Sequence, residues 1–188
     1  MPSKAPSSRP GNKVSAQTPA KDRASPFGLD ARITRENAPL NFLKLFYPFH
    51  YTVGMAVEKT LTGAALNRHQ TVILWMIRSK GEDGRMLPRK VIEQLIGEWY
   101  DLGSPAISKT LRKMAQPPLE LISIEESAES GREKIIRLTD KGNRTVAAMI
   151  QRTEAFIATI SERLTFDQIL NGMEFMERVG QIVENELE

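Results

Sequence analysis

Proline and glycine punctuation between Met86 and Lys141 constrains this chain more than any other feature. At its centre lies Gly103-Ser104-Pro105-Ala106-Ile107-Ser108-Lys109-Thr110-Leu111-Arg112-Lys113-Met114, closed by Gln116-Pro117-Pro118. Ser104 can cap a helix with its hydroxyl, and Pro105 suits the first helical position, where no N–H is needed. The two later prolines end that helix, because proline neither donates nor continues the turn. At about 100° per residue, Ile107, Leu111 and Met114 share one face, opposite Pro105, Lys109, Arg112 and Lys113. The sequence therefore predicts a helix pinned from behind by apolar contacts and cationic in front.

The neighbouring segments give that helix a setting. Pro88 opens an earlier helix, with Val91, Ile92, Leu95 and Ile96 as its stripe and Gly97 near its end. Glu98-Trp99-Tyr100-Asp101-Leu102-Gly103 then forms a connector longer than a tight turn, with Trp99 or Tyr100 available to pack on the following helix. Downstream, residues 120–127 and 132–138 are rich in β-branched residues and leucine, and the polar loop Ser127-Ala128-Glu129-Ser130-Gly131 joins them. That pattern predicts a β-hairpin. Lys80-Gly81-Glu82-Asp83-Gly84 is a polar turn leading to Met86-Leu87, a candidate third strand. Helix, turn, cationic helix and hairpin in this order describe a winged helix-turn-helix, a DNA-binding arrangement. A small packed α+β unit without that role is the bland alternative.

Three runs resemble the MarR family of bacterial winged-helix regulators: Ile107-Ser108-Lys109-Thr110-Leu111, Leu119-Glu120-Leu121-Ile122 and Leu138-Thr139-Asp140-Lys141-Gly142. They match a V-S-R-like recognition core, a G-L-I/V-like strand start and an L-T-x-K-G helix entry, the last being the most distinctive. The resemblance spans about residues 39–188. Lys109 stands where the family often has arginine, and it lacks arginine's planar fork. The wing departs from the family's D-x-R-D-like signature, leaving Arg132 and Lys134 as the basic residues near its tip. The resemblance implies a transcriptional regulator, not an enzyme, acting as a homodimer on a pseudo-palindromic operator in double-stranded DNA. With the helix entering the major groove N-terminus first, Ser104, Pro105, Ala106 and Lys109 lie nearest the base edges, and Ser108, Arg112 and Lys113 face phosphates. Arg132 and Lys134 complete the candidate DNA-contacting set. The competing function is a winged-helix adaptor that binds proteins and no DNA.

The rest of the chain divides around this lobe. Residues 1–38 mix prolines with seven basic and three acidic residues, a net of +4. Subtracting this from the chain's +3 leaves −1 for the remainder, so its basic character has to be local. The 1–38 stretch is too poor in apolar residues to offset its ordering entropy and is predicted to be a disordered tail, either solubilising or contacting DNA. Residues 39–66 form a first dimerisation helix region that Pro48 should kink or split. Its aromatic cluster, Phe46-Tyr47-Pro48-Phe49-His50-Tyr51, is either the packed base of a dimer or the lining of a pocket. The resemblance allows that pocket to take a small aromatic effector, which places it at His50, Tyr51 and Met55. The DNA-binding lobe spans 67–141 and opens with a nearly all-apolar helix, Leu66 to Arg78, predicted to be buried with Trp75 in the core. Residues 142–188 form two C-terminal dimerisation helices, the second with Thr165 and Gln168 spaced as a capping box. Their long apolar stripes exceed what a small winged lobe can bury, part of the second packing on the first and the rest requiring a second copy of the chain.

Composition excludes other classes. The chain has no cysteine, so disulfides, thiolate metal sites and thiol redox switching are ruled out. His50 and His69 lack ligand-spaced partners, no catalytic motif occurs, and no cofactor is expected. No apolar run reaches the ~18 residues of a membrane span, and no secretory h-region opens the chain. The expectation is a soluble cytoplasmic protein of mainly α class, a winged helix-turn-helix with a small antiparallel β-hairpin wing and long flanking helices for dimerisation.

Overall fold

The structure, a computed structural model, describes residues 25–127, 130–131 and 133–186. It divides into two units, Met1–Phe49 and His50–Glu188. In the first, turns over residues 25–37 lead into α1, Ala38–Phe49. Of the stretch expected to be disordered, residues 1–24 lie outside the described residues, while the part from 25 onward is tied to α1. Asn41, the one buried residue of α1, donates to the Asp30 carboxylate and receives the Asp30 N–H, both at 2.9 Å. Lys44 adds an ion pair to Asp30 at 3.2 Å. These bonds supply locally the order that apolar burial cannot. Phe42 and Phe46 stack at 6.2 Å, and both are about half exposed.

The second unit begins with a π-helical turn, His50–Gly54, then α2, Met55–Thr62. The helical run thus changes its winding just past Pro48, as a residue that cannot donate to the fourth carbonyl behind it requires. α3, Arg68–Lys80, starts at a complete capping box between Asn67 and Gln70. It buries Ile73, Leu74, Met76 and Ile77, the centre of the core. Trp75 is not in that core: it is 41% exposed, because it falls between Leu74 and Met76 on the helix's outer face.

β1, Met86–Pro88, leads directly into α4, Arg89–Tyr100. The predicted connector is shorter than expected, since residues 98–100 continue the helix and only Asp101 to Gly103 link it onward. Asp101 ends α4 in the left-handed region (φ 50°, ψ 44°) and donates its N–H to the Gly97 carbonyl. Tyr100 packs against His69 and lies 4.8 Å under Arg68, toward the start of α3. Trp99 is half exposed.

α5, Ser104–Ala115, is followed by β2, Ile122–Glu126, and β3, Lys134–Leu138. The antiparallel sheet has the order β1-β3-β2, with Leu87 and Ile124 both opposite Ile136. Met86 and Leu87 do form the third strand. Two long helices close the chain: α6, Asp140–Ser161, and α7, Phe166–Glu186. Val146 and Met149 of α6 join the core, and Thr165 and Gln168 exchange both bonds of the capping box ahead of α7. No residue of α7 is fully buried. Phe166, Leu170, Met173, Phe175 and Met176 are all exposed, while Ile169, Val179 and Ile182 are half-buried.

Candidate nucleic-acid interface

The back of α5 is fixed by burial. Ile107, Leu111 and Met114 are 0–2% exposed and pack with Ile92, Ile96 and Ile122. Each such side chain contributes ~1.5–3 kcal/mol relative to exposure. The opposite face carries Pro105, Lys109, Arg112 and Lys113 in solvent. No ion pair engages those three cations among the described residues, so their charge is available to an anionic partner.

Ser104 does not cap the helix as the sequence suggested. Gly103 occupies the cap position, and Ser104, one place inside, turns its hydroxyl across to α4. It donates to Glu93 Oε1 at 2.9 Å. Arg89 donates to the same oxygen from Nε at 3.0 Å and Nη2 at 2.7 Å. Nη2 also donates to Ser108 Oγ at 2.6 Å. Arg89 and Glu93 stand one turn apart on α4, and Ser104 and Ser108 one turn apart on α5, so the four side chains join the two helices at matching levels. Burial pushes the Glu93 carboxyl up, but hydrogen bonds from Arg89 and Ser104 together with the Arg89 charge outweigh it, and the pKa lies below the usual glutamate range. Arg89 and Glu93 were not singled out from the sequence; their i,i+4 spacing just after Pro88 was the available signal.

The wing is locked to α5 from behind. The Leu121 N–H donates to the Met114 carbonyl, and the Leu121 carbonyl accepts from the Thr139 N–H. Thr139 caps α6 by accepting from the Gly142 N–H at 3.0 Å and donates its hydroxyl to the Glu120 carbonyl at 2.7 Å. Lys141 reaches the Pro118 carbonyl. A Cβ on Gly142 would overlap the Leu121 carbonyl oxygen, so only glycine permits this approach of α6 to the chain entering β2. The Leu138-Thr139-Asp140-Lys141-Gly142 run is thereby explained as a clamp between α5, the wing and α6.

The wing offers little free positive charge. Residues 122–138 hold four glutamates against three basic residues. Lys134 is paired with Glu126 at 2.7 Å, Arg137 with Glu125 at 3.1 Å, and Lys90 of α4 with Glu133 at 2.7 Å. Hydrogen bonds from Ser123 and Arg137 hold Glu125 below its usual pKa, and Lys134 does the same for Glu126. Arg132 lies outside the described residues. A shallow recess brings Lys134 alongside Arg89, Lys90 and Glu93. The candidate effector residues lie elsewhere: His50 and Tyr51 pack edge to face at 4.9 Å, and Met55 borders a recess with Glu58, Lys59, Thr62, Gly63 and Arg68.

A family model described as a winged helix DNA-binding domain matches residues 66–142, the span from the α3 cap to the glycine of the clamp. The lobe is a winged helix. No curated protein matches the chain in sequence. Among solved structures, a MarR family protein from Bacillus stearothermophilus shares 16% identity, with a TM-score of 0.67 over 81% of this chain and 100% of its own. Sco3205, a MarR family transcriptional regulator from Streptomyces coelicolor solved in complex with DNA, is 13% identical, with a TM-score of 0.55 over 84% and 94%. The PcaV transcriptional regulator from the same organism, solved with its natural ligand, is 17% identical, with a TM-score of 0.51 over 82% and 99%. The winged helix and its flanking helices therefore have the fold of MarR-family regulators.

Proposed function

We propose that the chain is a transcriptional regulator that binds double-stranded DNA in a sequence-specific manner and is not an enzyme. The observation that carries this reading is the α5 face, where Lys109, Arg112 and Lys113 stand exposed and, among the described residues, unpaired with any carboxylate, while the other face is buried. Such a helix can enter a major groove as a rigid cationic rod, with Pro105, Ala106 and Lys109 toward base edges and Arg112 and Lys113 toward phosphates. Arg132 and Lys134 are assigned secondary backbone contacts, since Lys134 must first leave Glu126. The match to a winged helix DNA-binding domain supports the reading, as does the likeness to Sco3205.

The chain acts as a homodimer on a pseudo-palindromic operator, through residues 39–66 and 142–188. The exposed apolar side chains of α7 support this, because a helix that leaves most of its apolar stripe in solvent needs a covering surface. Recognition helices then address half-sites about one helical turn, ~34 Å, apart. A small aromatic effector bound near His50, Tyr51 and Met55 modulates the dimer, in keeping with the recess beside Met55. The basic N-terminal tail adds phosphate attraction. The deciding measurement is binding of the full chain to duplex DNA against salt concentration. Binding that weakens steeply with salt and favours selected sequences over random ones is expected. Indifference to duplex DNA would favour the protein-binding adaptor, a function that a wing holding more glutamates than basic residues would also suit.

A further inference from the structure

A serine hydroxyl has one hydrogen to give and two lone pairs to accept with, so a lone serine facing a base edge discriminates weakly. Ser104 is exposed at the N-terminal end of α5, yet its one hydrogen is committed to Glu93 Oε1 at 2.9 Å. Ser108, one turn later on the same flank, is in the reverse state: its oxygen receives Arg89 Nη2 at 2.6 Å, and no acceptor among the described residues takes its hydrogen. One ion pair on α4 thus sets the Ser104 and Ser108 hydroxyls of α5, in opposite senses.

We propose that the Arg89–Glu93 pair makes Ser104 an acceptor-only reader that selects an amino-bearing base, adenine or cytosine, on the strand it faces, and makes Ser108 a donor toward phosphate. In the major groove adenine N6 and cytosine N4 are donors, whereas guanine O6 and thymine O4 are acceptors. A hydroxyl whose hydrogen is held by a carboxylate can meet the first pair and is repelled by the second. The lowered pKa of Glu93 keeps that carboxylate ionised, and so an acceptor, throughout the neutral range. Arg89 and Glu93 are positioning residues here, because neither needs to touch DNA. The inference rests on the proposed DNA-binding role of α5 and adds the chemistry of one base position to it.

The test uses the full chain and duplexes selected from a random pool, with Ser104→Ala identifying the base pair that the hydroxyl reads. At that pair, single functional groups are then removed: the exocyclic amino group of adenine or cytosine, or the keto oxygen of its partner. Amino deletion should weaken wild-type binding about fivefold, the worth of one neutral hydrogen bond. It should cost the Ser104→Ala variant nothing, and keto deletion should leave both unchanged. Glu93→Ala, checked by its thermal melt, should lose the amino-over-keto preference at this position alone. Adding Ser104→Ala to Glu93→Ala should produce no further change there. If keto deletion is the costly change, or if Ser104→Ala releases no base position, the inference is overturned while DNA binding stands. A wild-type chain that selects no sequence removes the DNA-binding reading itself and this inference with it. The wild-type and Ser104→Ala arms decide the matter even if Glu93→Ala fails to fold.

Discussion

Lys109, Arg112 and Lys113 differ from the cations around them in having no ion-pair partner among the described residues. Arg89, Lys90, Lys134 and Arg137 are each paired with a glutamate, so an incoming phosphate or base would have to displace a partner first. Lys109 sits nearest the N-terminal end of the three and on a helix whose back cannot shift. Lys109→Ala is therefore expected to cost ~1–3 kcal/mol on a selected site and little on random duplex. Titrations on both duplexes at several salt concentrations measure this; equal losses on the two would make Lys109 a phosphate contact. Gly142 is the other residue where a single atom decides. Its added methyl would run into backbone at Leu121, which is itself held by Met114 and Thr139. Gly142→Ala should lower stability by about 3 kcal/mol, read as a fall in the urea midpoint with unchanged slope. An unmoved midpoint would mean that the clamp relaxes freely.

Between elements, the bonds from Arg89 and Glu93 to Ser104 and Ser108 set how α4 and α5 lie against each other at the exposed end of the lobe. Glu93 has its pKa lowered in the folded state, so it stabilises the fold above the ordinary glutamate pKa of about 4.3 and loses that contribution as pH falls through the folded value. Glu93→Gln should accordingly be less stable than wild type at neutral pH, with the gap closing under acid. Denaturant midpoints at the two pH values test the sign; a gap that widens in acid would contradict it. The wing is held by ion pairs of another kind, exposed to solvent and weakened by its screening. Its shape comes instead from strand register and from the buried Ile136 against Leu87.

At the scale of the molecule, α7 has its capping box and its long apolar face but buries no residue. A helix of that composition held in water by one chain is an open surface, and a second copy is the covering proposed here. Deleting residues 166–188 should convert a dimer into a monomer and abolish selective DNA binding together, because two linked half-sites are needed for it. Light scattering and duplex titration on the same sample measure both. A truncated monomer that still recognises a palindrome would separate assembly from recognition.

The chain by itself determined much of what is governed by residues within about a turn of each other. The Thr165 capping box, the stop at Gln116-Pro117-Pro118, the change of winding past Pro48 and the buried triad Ile107, Leu111 and Met114 all follow from local periodicity and caps. The order of those elements was enough to name the winged helix. Partners set by distant residues were another matter. Ser104 has the composition of a cap, but the ionised carboxylate of Glu93, 11 residues away, accepts its hydroxyl hydrogen and turns the side chain toward α4. Arg89, a charged donor, meets the Ser108 oxygen across 19 residues. Trp75 belongs to an apolar run, yet the core lies on the other side of its helix. Which groups the folded chain brings alongside one another decides whether a hydroxyl caps, reads or anchors, and only the tertiary structure contains that.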